Sequence, residues 1–243
     1  MTSNDLSSST TIVVGASRGL GRGIAKVLAE NGTPVIGVAR SAIPLEEVQT
    51  VVADATDASA AGRLIDRYRP RNLVLVAGAT PLVRPIQRHT WETFSANWET
   101  DVRMTFHWVR EALLTPLAPG GRVVVMSSGA ALQGSPLSGG YAGAKATQRF
   151  IAAYAQDEAN RGELGITFTA ILPRITPLTE LGRPAVEAYA ARAGVTQEEY
   201  MQRMGPPVTP EVAGNAVLEL LQQDAETLAA GYLLTGAGLK ELP

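Results

Sequence analysis

The chain has 243 residues, 45% of them hydrophobic and 18% charged, a composition that describes a globular protein built as one large α/β domain or two small ones. With 21 basic and 23 acidic residues the net charge is −2, so there is no electrostatic footprint for nucleic acid or for an anionic membrane. The absence of cysteine excludes disulfides, thiolate nucleophiles and cysteine-ligated zinc, and two histidines, His89 and His107, are too few for a histidine metal site, so no metal is expected.

The opening segment, MTSNDLSSSTTIVVG, has neither a basic n-region nor a long apolar core, and no run reaches the roughly 18 apolar residues of a membrane span. A soluble, cytoplasmic chain is the expectation. Short apolar, β-branched runs then alternate with segments of helical spacing, the pattern of βαβ units stacked into a parallel sheet. Strands are predicted at Thr11–Val14, Val35–Val38, Thr50–Ala53, Leu73–Ala77, Arg122–Ser127, Thr167–Leu172 and Tyr232–Thr235. Their nearly continuous apolar character fits strands covered on both faces. Helices are predicted near Leu20–Asn31, Asp57–Tyr68, Trp91–Leu114, Tyr141–Asn160 and Pro210–Gln222, with Asn31-Gly32 and Pro119-Gly120-Gly121 as stop signals. No repeat or linker divides the chain, so a single domain spanning 1–243 is expected. The segment 174–209 interrupts the βα rhythm with prolines around an amphipathic stretch, and is a candidate substrate lid.

After the first strand comes Gly15-Ala16-Ser17-Arg18-Gly19-Leu20-Gly21, a glycine-rich turn opening a helix. Missing side chains there let backbone N–H groups and the positive helix end approach a pyrophosphate. Such a turn also serves tight packing alone. A dinucleotide fold that prefers NAD usually ends its second strand with an acid on the ribose 2′-hydroxyl, but this strand ends Gly37-Val38-Ala39-Arg40-Ser41. A guanidinium meets a 2′-phosphate with parallel hydrogen bonds, so Arg40, aided by Arg18 and by Ser17 or Ser41, favours NADP(H). The alternative is two solvated surface arginines. Asp54, after the third strand, is a candidate partner of the adenine amino group.

The fifth strand runs into Ser128, and Tyr141-Ala-Gly-Ala-Lys145 opens a long helix with Tyr141 and Lys145 on one face. A hydroxyl at the carboxyl end of a central strand, facing a phenol and an ammonium, performs carbonyl chemistry without metal or histidine. A tyrosine ordinarily titrates near pH 10, and making it an acid or base near neutrality takes roughly 4 kcal/mol of stabilisation of its anion. A lysine about 4 Å away supplies energy of that order. The roles read from this are proton exchange at Tyr141, stabilisation of the tyrosinate by Lys145, which also stands to bond the nicotinamide ribose, and retention of the reacting oxygen by Ser128.

Taken in order, GASRGLG, the Asp54 region, Ser128, YAGAK and the terminal GYLLTGAG resemble the short-chain dehydrogenase/reductase family over almost the whole chain. The resemblance implies a single-domain Rossmann fold, a doubly wound seven-stranded parallel sheet in the order 3-2-1-4-5-6-7 flanked by helices, and a nicotinamide dinucleotide. It also implies a Ser128–Tyr141–Lys145 active site and a homotetramer or homodimer built on long helices. Three departures stand out. The family's Asn-Asn-Ala-Gly is here Leu75-Val76-Ala77-Gly78, whose Ala77 and Gly78 still admit a cofactor along the backbone. Asp101 falls where an asparagine, the family's fourth catalytic member, sits; ionised, it would hold Lys145 as a cation while opposing the tyrosinate. Leu172-Pro173-Arg174 replaces the usual Pro-Gly beside the nicotinamide, with Pro173 kept as a cofactor contact and Arg174 either turned outward or an anion ligand.

The expected substrate is a small, hydrophobic ketone or secondary alcohol walled by Leu82, Val83, Ile86, residues 130–137, Leu178, Leu181, Val186, Tyr189, Met201 and Met204. The lid's apolar stripe has packing against its own domain or a second subunit as its other use. Trp91, Trp98 and Trp108 are expected in the core or at a subunit interface. A cofactor-binding scaffold without turnover is the competing reading of the chain, motivated by the altered fourth-strand motif and Asp101.

Overall fold

A computed structural model describes residues 6–42, 45–174, 176–177, 179–180 and 182–243. Residues 1–5 of the opening segment, together with Ile175, Leu178 and Leu181 of the expected lid and substrate wall, lie outside the described residues.

The chain runs β1 (Thr11–Val14), α1 (Gly19–Glu30), β2 (Val35–Ala39), β3 (Val48–Val52), α2 (Ala58–Tyr68), β4 (Asn72–Leu75), α3 (Trp91–Asn97) and α4 (Arg103–Leu114) in its first half. It continues as β5 (Arg122–Met126), α5 (Ala130–Gln133), α6 (Gly139–Arg161), β6 (Thr167–Pro173), α7 (Gly182–Ala193), α8 (Gln197–Met204), α9 (Pro210–Gln222), β7 (Gly231–Thr235) and β8 (Gly238–Glu241). The strands form one sheet in the order β3-β2-β1-β4-β5-β6-β7-β8, parallel throughout except for β8, which pairs antiparallel with β7.

Alternation along the strands builds two cores. Ile12 and Val14 of β1 face a cluster with Trp108 of α4 and Ala152 and Ala155 of α6, whereas Val13 faces one with Ile24 of α1 and Val217 of α9. Close approach of α1 and α9 requires glycine, since a Cβ on Gly23 would stand 2.3 Å from the Pro210 carbonyl oxygen. The order of the strands reverses between β1 and β4, so the loops following them diverge and leave a crevice at the carboxyl ends.

β4 lies at Asn72–Leu75 rather than Leu73–Ala77 and α5 is not among the predicted helices, and four further differences from the predicted elements have local causes. The sheet has an eighth strand, because the Thr235 hydroxyl bonds the Gly238 carbonyl and Gly238 takes a φ of +109°, which turns the end of the chain back on itself. The third strand lies at Val48–Val52 rather than Thr50–Ala53, set by its register with β2. The helix predicted over Trp91–Leu114 contains a π-helical turn at Trp98–Val102. The amphipathic stretch of the candidate lid is two helices, divided where Gly194 adopts a φ of +66°.

Candidate active site

A cleft of ≈ 1050 Å³ opens at the carboxyl ends of the strands. Gly15, Ser17, Arg18, Gly19, Leu20 and Gly21 line it on one side, Arg40 and Asp54 at the ends of β2 and β3, and Ala77, Gly78 and Pro173 after β4 and in β6. Ser128, Tyr141, Lys145 and Asp101 line the same cleft, whereas Ser41, the alternative to Ser17 beside Arg40, is not in its lining.

The glycine loop is shaped for close approach. Gly15 has a φ of +97° and a Cβ there would meet the Ala77 nitrogen at 2.5 Å; a Cβ on Gly21 would meet the Gly15 carbonyl oxygen at 2.1 Å. No side chain caps the N-terminus of α1 and no acid occupies its first turn, which leaves N–H groups and the positive helix end for an anion. Arg40 is exposed at the end of β2. Arg18 pairs with Glu180 at 2.9 Å across the mouth, an exposed contact of small worth that a phosphate can replace. The Asp54 carboxylate accepts from the Thr56 backbone N–H at 2.9 Å and its hydroxyl at 2.8 Å; these bonds, and more weakly Arg40, hold its pKa below the ordinary value.

The chemistry-bearing groups come from three elements. Ser128 follows β5 and is half-buried, its Oγ accepting from the Ala130 N–H at 3.2 Å. Tyr141 and Lys145 lie one turn apart on α6, with Lys145 Nζ 5.5 Å from the centre of the Tyr141 ring. Asp101, on the π-helical turn and with no exposed surface, places Oδ2 3.1 Å from Lys145 Nζ and accepts from the Ala79 backbone N–H at 2.8 Å through Oδ1. Gly78 makes room for this carboxylate, since a Cβ would lie 2.9 Å from Oδ2. Burial alone lowers the pKa of Lys145, but the charge of Asp101, then Tyr141, then the Asp101 hydrogen bond outweigh it, and the pKa is raised.

Sequence reasoning missed Gln148. Its Oε1 accepts from Lys145 Nζ at 2.8 Å, while the Met126 carbonyl accepts from the same nitrogen at 3.3 Å. Lys145 therefore has protein partners for all three of its N–H groups, and bonding a ribose hydroxyl requires one of them to be given up. The available signal was a glutamine on the otherwise small-residue stripe Ala144, Lys145, Gln148, Ala152, Ala155 and Ala159, the buried face of α6.

The substrate wall is narrower than expected. Leu82 and Ile86 are 44% and 74% exposed and stand outside the lining, because the loop after β4 directs Pro81 and Val83 into the cleft instead. Val186 is buried in the protein, and Ala131, Leu137 and Met201 do not reach the lining, which takes Leu132, Tyr189, Tyr200 and Met204. Tyr189 stacks on Tyr200, centroids 6.3 Å apart, and its hydroxyl meets Ser135 and, at 3.2 Å, Ser138. Burial, and then Tyr189, push the Tyr200 pKa up. Arg174 is exposed at the cleft. Trp108 is buried and donates to the Ala55 carbonyl at 3.1 Å, whereas Trp91 and Trp98 are 74% and 40% exposed. Among the described residues, no helix is long and apolar enough to cross a membrane.

The short chain dehydrogenase family model matches residues 9–190. The chain belongs to that family. Its members are oxidoreductases that bind a nicotinamide cofactor and act on small molecules. The hydroxynaphthalene reductase-like protein Arp2 of Metarhizium majus is 28% identical over 270 aligned positions, covering 98% of this chain and 97% of that protein. Human L-xylulose reductase is 28% identical over 126 positions, 48% of this chain and 52% of that protein. Among solved structures, a short chain dehydrogenase from Burkholderia cenocepacia in complex with NADP superposes with a TM-score of 0.79 at 22% identity, over 96% of this chain and 98% of that one. An NAD+-bound xylitol dehydrogenase gives 0.81 at 20% identity, over 94% and 98% of the two chains. At those identities the structures establish the shared fold.

Proposed function

We propose that this short chain dehydrogenase is NADP(H)-dependent and interconverts the carbonyl and secondary alcohol of a small hydrophobic substrate by Ser-Tyr-Lys catalysis. The observation that carries the reading is the convergence on one cleft of Ser128, Tyr141 and Lys145 with the uncapped end of α1. The residues fit a dinucleotide: the loop has no side chain where Gly15 and Gly21 approach backbone, and the positive end of α1 faces the cleft. Arg40, with Arg18 and Ser17 beside it, would hold a 2′-phosphate, for which the end of β2 offers a cation and no acid. Ala77, Gly78 and Pro173 would flank the nicotinamide half. When bound, the cofactor supplies or accepts the hydride.

The remaining work falls to the chain. Ser128 Oγ holds the reacting oxygen, and the Tyr141 hydroxyl gives it a proton during reduction or takes one during oxidation. Lys145 acts on the phenol by charge, at an effective dielectric near 20 roughly 3 kcal/mol in favour of the tyrosinate. Asp101, its Oδ2 3.1 Å from the Lys145 ammonium, opposes this by the opposite sign of its charge. Leu132, Val83, Met204 and the Tyr189–Tyr200 stack give the substrate end its apolar walls. The names of the reductases similar to this chain support reduction as the direction. Phe106, Phe150 and Tyr154, at 52%, 66% and 59% exposure on α4 and α6, support a homo-oligomer formed through these helices.

The test titrates NADPH and NADH into the protein and its Arg40→Ala variant, then follows NADPH oxidation with hydrophobic ketones in the protein and in Tyr141→Phe. The reading requires an NADPH preference that the Arg40 variant loses, and turnover reduced about 10²- to 10⁴-fold in Tyr141→Phe with NADPH affinity kept. Equal affinities for the two cofactors overturn the NADP assignment. Tight NADPH binding without turnover in either protein makes the chain a cofactor-binding scaffold.

A further inference from the structure

The Lys145 ammonium sits in a cradle of neighbouring groups, and one of them belongs to neither the nucleotide loop nor the Ser-Tyr-Lys set. Gln148 has no exposed surface and uses its whole carboxamide. Oε1 accepts from Lys145 Nζ at 2.8 Å, and Nε2 donates to the Asp101 backbone carbonyl at 3.2 Å and to Thr105 Oγ1 at 2.6 Å. The Thr105 hydroxyl in turn donates to that same Asp101 carbonyl at 2.8 Å. The assignment of the amide follows from its neighbours: an ammonium has only donors, so it takes the oxygen, and the carbonyl takes the nitrogen. The π-helical turn at Trp98–Val102 widens the hydrogen-bond ladder where Asp101 presents its carboxylate to Lys145 and its carbonyl to Gln148.

We propose that Gln148 is a positioning residue for the reaction: its carboxamide ties Lys145 to the π-helical turn, fixes the third N–H of the ammonium, and holds the cation where it acts on Tyr141 by charge. The proposal rests on the Ser-Tyr-Lys reading for its catalytic consequence, while the tether itself is a property of the protein without ligand. The ammonium has three N–H groups and three acceptors, Asp101 Oδ2, Gln148 Oε1 and the Met126 carbonyl, so removal of one leaves a buried donor free to turn. The charged and titratable groups acting on it are Asp101 from the π-helical turn and Tyr141 from α6; β5 brings only the Met126 carbonyl, and Thr105 of α4 is uncharged.

Gln148→Met keeps the length and unbranched shape of the side chain and removes both hydrogen-bonding atoms. The first readout needs neither substrate nor cofactor. The chain has three lysines, Lys26, Lys145 and Lys240, so the Lys145 ammonium can be observed by ¹H–¹⁵N NMR in the apo-protein and assigned by its loss in Lys145→Met. A slowly exchanging Lys145 ammonium is expected in the parent protein, with exchange about tenfold or more faster in Gln148→Met. The second readout is kinetic: kcat falls about tenfold while the ketone KM and NADPH affinity stay within about twofold. Gln148→Glu restores an acceptor to Lys145 and adds a negative charge, so slow ammonium exchange returns and the alkaline limb of the reduction profile moves up by about one pH unit.

Unchanged ammonium exchange with unchanged kcat in Gln148→Met makes Gln148 a packing residue and overturns the proposal. If Gln148→Met does not fold, Gln148→Glu decides alone, and a profile that coincides with that of the parent overturns it. Absence of ketone turnover in the parent protein counts against the proposed function, while the ammonium spectrum still decides whether Gln148 tethers Lys145.

Discussion

Replacing Asp101 with asparagine removes one charge from the centre of the site and almost nothing of its shape. The Asp101–Lys145 contact at 3.1 Å corresponds to a gross attraction of about 5 kcal/mol at an effective dielectric near 20, against which the burial of both groups must be set. With the charge gone, burial acts on Lys145 with less opposition and its pKa falls from the raised value. The tyrosinate simultaneously loses the repulsion of a carboxylate whose Oδ2 lies 3.1 Å from the Lys145 ammonium. Both effects have the same sign for reduction, which needs a proton on Tyr141 and a charge on Lys145: the alkaline limb of kcat/KM moves to lower pH by about one unit or more. The assay is NADPH oxidation from pH 6 to 10 with a hydrophobic ketone well below its KM, Asp101→Asn beside the parent protein. The linkage runs alongside. A lysine whose folded pKa is raised contributes stability that is fully present below its ordinary value of 10.5 and is lost as pH rises through the folded value. The variant forfeits that contribution, so at neutral pH its Tm drops below that of the parent protein. Superimposable pH–rate profiles, or a limb displaced upward, would refute the electrostatic reasoning.

Other positions give independent tests. Gly23→Ala drives a Cβ to within 2.3 Å of the Pro210 carbonyl oxygen, so α1 and α9 must separate; denaturant unfolding should register a loss of about 1–3 kcal/mol. Thr209→Ala removes the hydroxyl that accepts from the Val212 N–H at 3.1 Å at the start of α9, at a cost of about 1 kcal/mol in the same assay. Gly15→Ala places a Cβ 2.5 Å from the Ala77 nitrogen at a φ of +97°, and calorimetry should find NADPH binding weakened at least about tenfold. Phe150→Glu places a charge on the exposed aromatic surface of α6, and the proposed assembly through α4 and α6 requires sedimentation to show a smaller species than the parent.

The sequence by itself determined the sheet, because a parallel strand buried on both faces needs an unbroken apolar run, and the runs at β1, β2 and β5 admit no other use. It also determined the glycine loop and the spacing of Tyr141 and Lys145, since a helical turn puts residues four apart on one face whatever surrounds them. β8 was illegible because its four residues, Gly238 to Glu241, are polar or partly exposed and carry little hydrophobic pattern, and its turn is set by a hydroxyl bond between Thr235 and Gly238. Which lid and loop side chains reach the cleft was equally hidden, for Leu82 and Val83 differ in the direction the backbone gives them rather than in their chemistry. Only the tertiary structure decided the partners of Lys145. Gln148 lies one helical turn from Lys145 on α6, but Asp101 and the Met126 carbonyl come from the π-helical turn and β5, and no local period links them to it. Burial then makes the arrangement count: in water each of these contacts would be exchanged for solvent, whereas in the interior an ammonium without its partners has nothing to replace them.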